Sequence, residues 1–131
     1  MILDSSAVLA ILFHESDAKQ HADAIEKAEV RRISAPTYVE LSIVVDAANG
    51  PSGIPDLDHF VRQASIAIEP FTAEQAYLAQ RCWSIYGEGK HPAKLNFGDC
   101  FSYALAKSLN EPLLFKGGDF SQTDIEPAIH P

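Results

Sequence analysis

The chain opens on three apolar residues, Met1-Ile2-Leu3, and sets Asp4 where the run stops. A run this short cannot make a buried helix, so it reads as a buried strand that needs packed layers around it. Leu113-Leu114-Phe115 repeats the pattern late in the chain, followed by Lys116, the turn Gly117-Gly118 and Asp119.

Between these runs, strand and helix patterns alternate. Ser5 to His14 has helical periodicity after two candidate caps, Ser5 and Ser6. Asp17 to Glu29 reads as an amphipathic helix and Arg31 to Ala35 as a strand. Pro36 then opens a helix that Asn49-Gly50-Pro51 ends. Leu57 to Ala64 suggests a helix, Ile66 to Phe71 a strand, and Ala73 to Tyr86 a helix with Ala76, Ala79 and Trp83 inward. Gly87 to Leu95 is a loop. The helix that starts near Asn96 or Gly98 is apolar on almost every side through Ala106, which makes it central. Alternation of this kind implies an α/β layer with a parallel sheet.

With 131 residues and 47% hydrophobic content, one domain spanning 1–131 can enclose its own core. The longest apolar run, Ala7 to Phe13, is too short to cross a membrane, and no basic leader precedes it. Cys82 and Cys100 lack metal-type spacing and sit among apolar neighbours, so cytoplasmic residence is the simpler expectation.

Four acids carry the functional reading: Asp4, Glu40, Asp99 and Asp119, each beside apolar sequence. Acids at strand ends and on apolar helix faces lose hydration unless a cation or a proton offsets the loss. In an open parallel sheet, ligands collect outside the carboxyl ends of the strands, where Asp4 and Asp119 fall. Each acid also has a plain structural reading. Asp4 suits an N-cap, Thr37-Tyr38-Val39-Glu40 suits a capping box, Asp99 suits a helix dipole, and Asp119 suits the cap of a following turn. Their joint placement points instead to a divalent metal.

The formal net charge of −8 opposes a nucleic-acid partner unless cations load an acidic cleft. Basic groups nonetheless flank three of the acids: Lys90, His91 and Lys94 before Asp99, Arg31 and Arg32 before Glu40, and Lys116 before Asp119. Lys90, His91, Lys94 and Lys116 are the candidates for holding a nucleic-acid backbone. Tyr38, Tyr86 and Phe97 are read as packing before base stacking. His14, Glu15, Asp17 and His21 match no recognised zinc spacing, and no P-loop or nucleophile elbow is present.

The opening Met1-Ile2-Leu3-Asp4-Ser5-Ser6, the helix carrying Glu40, the stretch Asn96-Phe97-Gly98-Asp99-Cys100-Phe101-Ser102-Tyr103-Ala104-Leu105-Ala106, and Leu113 to Phe120 together resemble a PIN domain of the VapC toxin type. The resemblance implies a three-layer α/β/α fold with a mainly parallel central sheet. It also implies a Mg²⁺- or Mn²⁺-dependent endoribonuclease toxin that cuts transfer or ribosomal RNA, a cognate VapB-type antitoxin, and a homodimer. By position, Asp4 and Asp99 would be metal ligands, Glu40 would orient an attacking water or complete the acidic cluster, and Ser6 would support the pocket. Many relatives place an acid three residues before the phenylalanine matching Phe120. Gly117 stands there in this chain, with Asp119 and Asp124 nearby, and the role is assigned to Asp119.

Oxygen-only ligands suit Mg²⁺ or Mn²⁺. Two other readings share these features: a phospho-acceptor receiver-like domain, to which Lys116 gives some appeal, and a PIN-like binding module without catalysis.

Overall fold

The computed structural model describes residues 1–130. Four strands, β1 (Ile2–Leu3), β2 (Arg31–Ser34), β3 (Ile66–Glu69) and β4 (Leu113–Leu114), form one sheet in the order β3-β2-β1-β4. Every pairing is parallel, with Ile2 opposite Arg32 on one side and Leu113 on the other. Six α-helices connect and cover it: α1 (Ser5–Leu12), α2 (Ala18–Lys27), α3 (Ala35–Asn49), α4 (Gly53–Gln63), α5 (Ala73–Tyr86) and α6 (Phe97–Leu109).

Strand periodicity divides the core into two. Ile2 and Leu113 pack with Cys82, Leu95, Cys100 and Tyr103 on the side of α5 and α6. Their chain neighbours Leu3 and Leu114 point the other way, into Val8, Ile25, Ile33, Leu41, Val45 and Leu57. All four strand residues are 0–1% exposed. Two apolar layers around one parallel sheet are the expected three-layer α/β/α arrangement.

Several boundaries differ from expectation for local reasons. α1 stops at Leu12, where His14 takes a positive φ of 54°. α3 starts at Ala35, because Ser34 is its N-cap and Pro36 fits the first turn, whose N–H groups have no helical acceptor. α4 begins four residues before Leu57: Gly53 lies so close to the Val45 carbonyl that any Cβ there would collide with backbone. On α5 the buried positions are Gln75 and Cys82, while Trp83 stays 39% exposed on the wall of a groove that Ala76 and Ala79 also line. Among the described residues, no helix is long and apolar enough to cross a membrane.

The chain runs outward from β1 through β2 to β3, then returns to β4 on the other side of β1. That reversal opens a crevice beyond the carboxyl ends of β1 and β4. Asp4 ends β1 at this point, and its backbone N–H donates to the Leu114 carbonyl at 2.9 Å.

Candidate metal centre

Asp4 is the N-cap of α1 and is only 3% exposed. Its Oδ2 accepts from the Ser6 backbone N–H at 3.1 Å and from the Ser6 hydroxyl at 2.6 Å. Its Oδ1 accepts from Ser102 Oγ at 2.6 Å. Hydrogen bonds to a charged acceptor contribute about 1.5–3 kcal/mol each, enough to keep a carboxylate at a nearly dry position. Ser6 Oγ also accepts from the Lys116 N–H at 3.0 Å, which ties the start of α1 to the end of β4. The capping role considered for Asp4 is therefore real, and Oδ1 retains a free lone pair.

Asp99 occupies the first turn of α6 in a reciprocal capping box. The Asn96 side chain accepts from the Asp99 N–H at 3.0 Å, and Asp99 Oδ2 accepts from the Asn96 N–H at 2.9 Å. That bond favours the charged form, yet the Asp99 carboxyl is pushed up to about 6. Burial is the main cause, and the charges of Asp4, Asp119 and Glu40 add to it. All four acids singled out from the sequence therefore act on one place.

Glu40 reaches this pocket from α3. The helix starts too early for Glu40 to close a capping box, and the Ser34 cap makes no side-chain bond. The carboxylate lies instead against the α-carbon of Gly98, where a Cβ would collide with Oε2. Burial raises its pKa, the charge of Asp4 raises it further, and a hydrogen bond from Ser5 opposes both. Asp119 stands exposed at the start of the 3-10 turn Phe120–Gln122. Asp124 is committed elsewhere: it accepts from Tyr103 at 2.8 Å and from Lys107 at 2.9 Å, which hold its carboxyl low against the raising effect of burial.

Among the described residues, no lysine, arginine, histidine or terminal amine lies within 4.0 Å of the carboxylates of Asp4, Glu40, Asp99 or Asp119. The donors are all hard oxygens, which fits Mg²⁺ or Mn²⁺. Among the described residues, no three acid, His or Cys side chains are arranged so that they could together hold a metal ion. An ion of this class keeps several waters and takes one or two carboxylates, so an open pocket suffices.

The basic candidates separate. Lys90 and Lys94 are exposed in the loop before α6, with Lys90 Nζ 5.6 Å from the Trp83 ring centre. His91 is tied into that loop by the Ala93 N–H, which donates to Nδ1 at 3.0 Å. The Lys116 ammonium is held by Glu15 at 3.0 Å and Asp17 at 3.3 Å, and Asp17 also bonds His21 at 3.2 Å. The His14 to His21 segment is thus a charge cluster around Lys116. Two residues the sequence reading passed over, Ser102 and Gly98, shape the pocket. Each had a signal: a serine inside an otherwise apolar helix must find a partner when buried, and a glycine in a helix's first turn marks a close approach.

The model of the PIN domain family matches residues 1–126. The chain belongs to the PIN-domain family, in its VapC branch. Ribonuclease VapC28 of Mycobacterium tuberculosis is 48% identical over 130 residues, covering 98% of each protein. Ribonuclease VapC of Mycolicibacterium smegmatis is 44% identical, covering 99% of this chain and all of that one. Among solved structures, the Mycobacterium tuberculosis toxin VapC20, described as cleaving the sarcin-ricin loop, superposes with a TM-score of 0.74 at 18% identity, covering 99% and 98% of the two chains. VapBC2 of Rickettsia felis, bound to a fragment of its promoter, gives 0.73 at 18% identity over 96% and 94%. Both share the fold of this PIN domain, and the receiver-like reading falls with it.

Proposed function

We propose that this VapC-type PIN domain is a Mg²⁺- or Mn²⁺-dependent endoribonuclease toxin that hydrolyses phosphodiester bonds of transfer or ribosomal RNA in the cytoplasm. The observation that carries the reading is the buried Asp4 carboxylate, with Glu40 against Gly98 beside Asp99 and no counter-cation on these acids among the described residues; the raised Asp99 carboxyl, on which Asp4, Asp119 and Glu40 all act, supports it. The ribonuclease names of relatives 41–48% identical over nearly the whole chain support it.

Asp4 and Asp99 would hold the ion, which would supply positive charge to offset the negative charge building on the phosphate. Asp4 is held by Ser6 and Ser102, and Asp99 by the capping box of α6. Glu40, its carboxyl raised by burial, would orient the attacking water and take one of its protons as the water oxygen bonds to phosphorus, while the bond to the ribose oxygen breaks and that oxygen takes a proton from solvent. Asp119, exposed at the start of the 3-10 turn, would complete the cluster. Lys90 and Lys94 supply exposed positive charge beside the N-terminus of α6 for the RNA backbone.

The partners extend the same reading. Phe71, Trp83, Phe97 and Phe101 line an apolar groove beside Asn96, suited to the apolar side chains of a VapB-type antitoxin whose basic residue enters the acidic pocket. Phe97, expected to pack inside, is 78% exposed at the start of α6. Val39 and Ile43, one turn apart on α3, are 54% and 65% exposed, which supports a homodimer.

The test is cleavage of total and transfer RNA by purified, antitoxin-free protein in Mg²⁺, Mn²⁺ or EDTA, beside folded Asp4→Asn and Asp99→Asn variants. Cutting that needs the metal and disappears in both variants is the expected result. Cutting that survives EDTA and both substitutions would overturn the reading.

A further inference from the structure

The Ser102 hydroxyl is wholly buried, 0% exposed, in the middle of a helix whose neighbouring residues are apolar. It follows Asp99 by three residues, so α6 presents both side chains on one face. Among the described residues its only side-chain partner is Asp4 Oδ1, at 2.6 Å.

A carboxylate has about four lone-pair sites. The Ser6 N–H and hydroxyl occupy both sites of Asp4 Oδ2. The Lys116 N–H, donating to Ser6 Oγ, leaves that hydroxyl's proton to Asp4. Ser6 restrains Oδ2, and a second bond on Oδ1 further limits rotation of the carboxylate about Cβ–Cγ. Ser102 pins the second oxygen and leaves one lone pair open, in one direction.

We propose that Ser102 is a positioning residue, which makes Asp4 a single-point ligand and sets its distance and orientation relative to Asp99 through the rigid turn of α6 between them. This inference rests on the metal-dependent reading above. Outer-shell hydrogen bonds of this kind typically change metal affinity by about 10–100-fold.

The experiment is a calorimetric Mn²⁺ titration of metal-free, antitoxin-free protein at neutral pH. It compares the unsubstituted chain with Ser102→Ala, Ser102→Thr and Asp99→Asn, alongside RNA cleavage kinetics and circular dichroism. Ser102→Ala is expected to bind Mn²⁺ about 10–100-fold more weakly. Ser102→Thr, which keeps the hydroxyl, should recover most of that loss. At saturating Mn²⁺ the KM for RNA should be unchanged, because Ser102 acts on Asp4 and not on substrate. A folded Ser102→Ala that binds Mn²⁺ as the unsubstituted chain does would overturn the proposal. If the alanine variant fails to fold, Ser102→Cys, close in shape but a weak donor, is judged by the same criterion. An unsubstituted chain that binds no Mn²⁺ would overturn the metal-dependent reading together with this one. Binding that depends on Asp99 but is indifferent to Ser102 would overturn this one alone.

Discussion

Acidic side chains stand at both ends of the parallel sheet, in opposite surroundings. Beside the starts of β1 and β4, Glu111 accepts from the Met1 amine at 2.6 Å and from Arg32 at 3.0 Å, and the same guanidinium reaches along the sheet to Glu69, the last residue of β3, at 2.9 Å. Beyond the carboxyl ends of β1 and β4, Asp4, Glu40, Asp99 and Asp119 gather with no basic partner among the described residues. Shortage of nearby basic residues does not explain the difference. Lys116 lies two residues past the end of β4, yet its ammonium turns to Glu15 and Asp17. Charge at the first end is settled by the fold itself. At the second no basic side chain among the described residues offsets it, and the Asp99 carboxyl is raised, by burial first and by the charges of Asp4, Asp119 and Glu40 in addition.

The largest expected effects lie at the unpaired end. Asp4→Asn and Asp99→Asn should each reduce RNA cleavage about 10³-fold or more, through loss of electrostatic stabilisation, while the protein stays folded. An active Asp99→Asn variant, measured on RNA with contaminating nuclease excluded, would remove the contrast between the two ends. Next comes Gly98→Ala, whose added methyl displaces the Glu40 carboxylate. It should lower kcat about 10–100-fold, the scale of an ångström-sized misplacement. Circular dichroism should change little, since the atom that must move is the far end of a flexible side chain.

The paired end should answer in stability instead. Arg32→Met leaves Glu69 and Glu111 without their shared cation and should lower the melting temperature by about 2–5 °C, with kcat unchanged. Equal activity losses from Arg32→Met and Asp99→Asn would show the two ends to be one coupled system.

The smallest effect concerns pH. Because the folded carboxyl of Asp99 lies above its ordinary value, the native state holds a proton that the unfolded chain has released, so stability falls as pH rises from about 4 through about 6. In EDTA, Asp99→Asn should therefore melt about 2–4 °C above the unsubstituted chain at pH 7.5, the gap closing toward pH 4. Added Mg²⁺ should stabilise the unsubstituted chain at pH 7.5 and do so less at pH 5, where protons compete for Asp99.

Asp4 and Asp99 were legible in the sequence because their positions follow from local rules: an acid where a buried strand ends, and an acid in the first turn of an apolar helix. Glu40 was legible from its apolar neighbours, but the capping box assigned to it assumed the wrong helix start. Ser34 caps α3 from the end of β2, a choice made by the strand and not by the helix's own residues. Ser102 was hidden because its bond spans 98 residues, which no local pattern contains. The surroundings of Asp124 were hidden by tertiary contacts as well: Tyr103 and Lys107, one and two turns along α6 from Asp99, bind its carboxylate. Of the basic candidates, Lys116 was legible in position and not in use, since Glu15 and Asp17 reach it from a loop about a hundred residues earlier.

The central claim is that the unpaired acids form a divalent-cation site, and a Mn²⁺ binding isotherm on metal-free, antitoxin-free protein at pH 7.5 tests it most directly. A saturable site that weakens at least about tenfold in both Asp4→Asn and Asp99→Asn, and is untouched by Arg32→Met, is the predicted result. No saturable binding, or binding indifferent to Asp4 and Asp99, would contradict it.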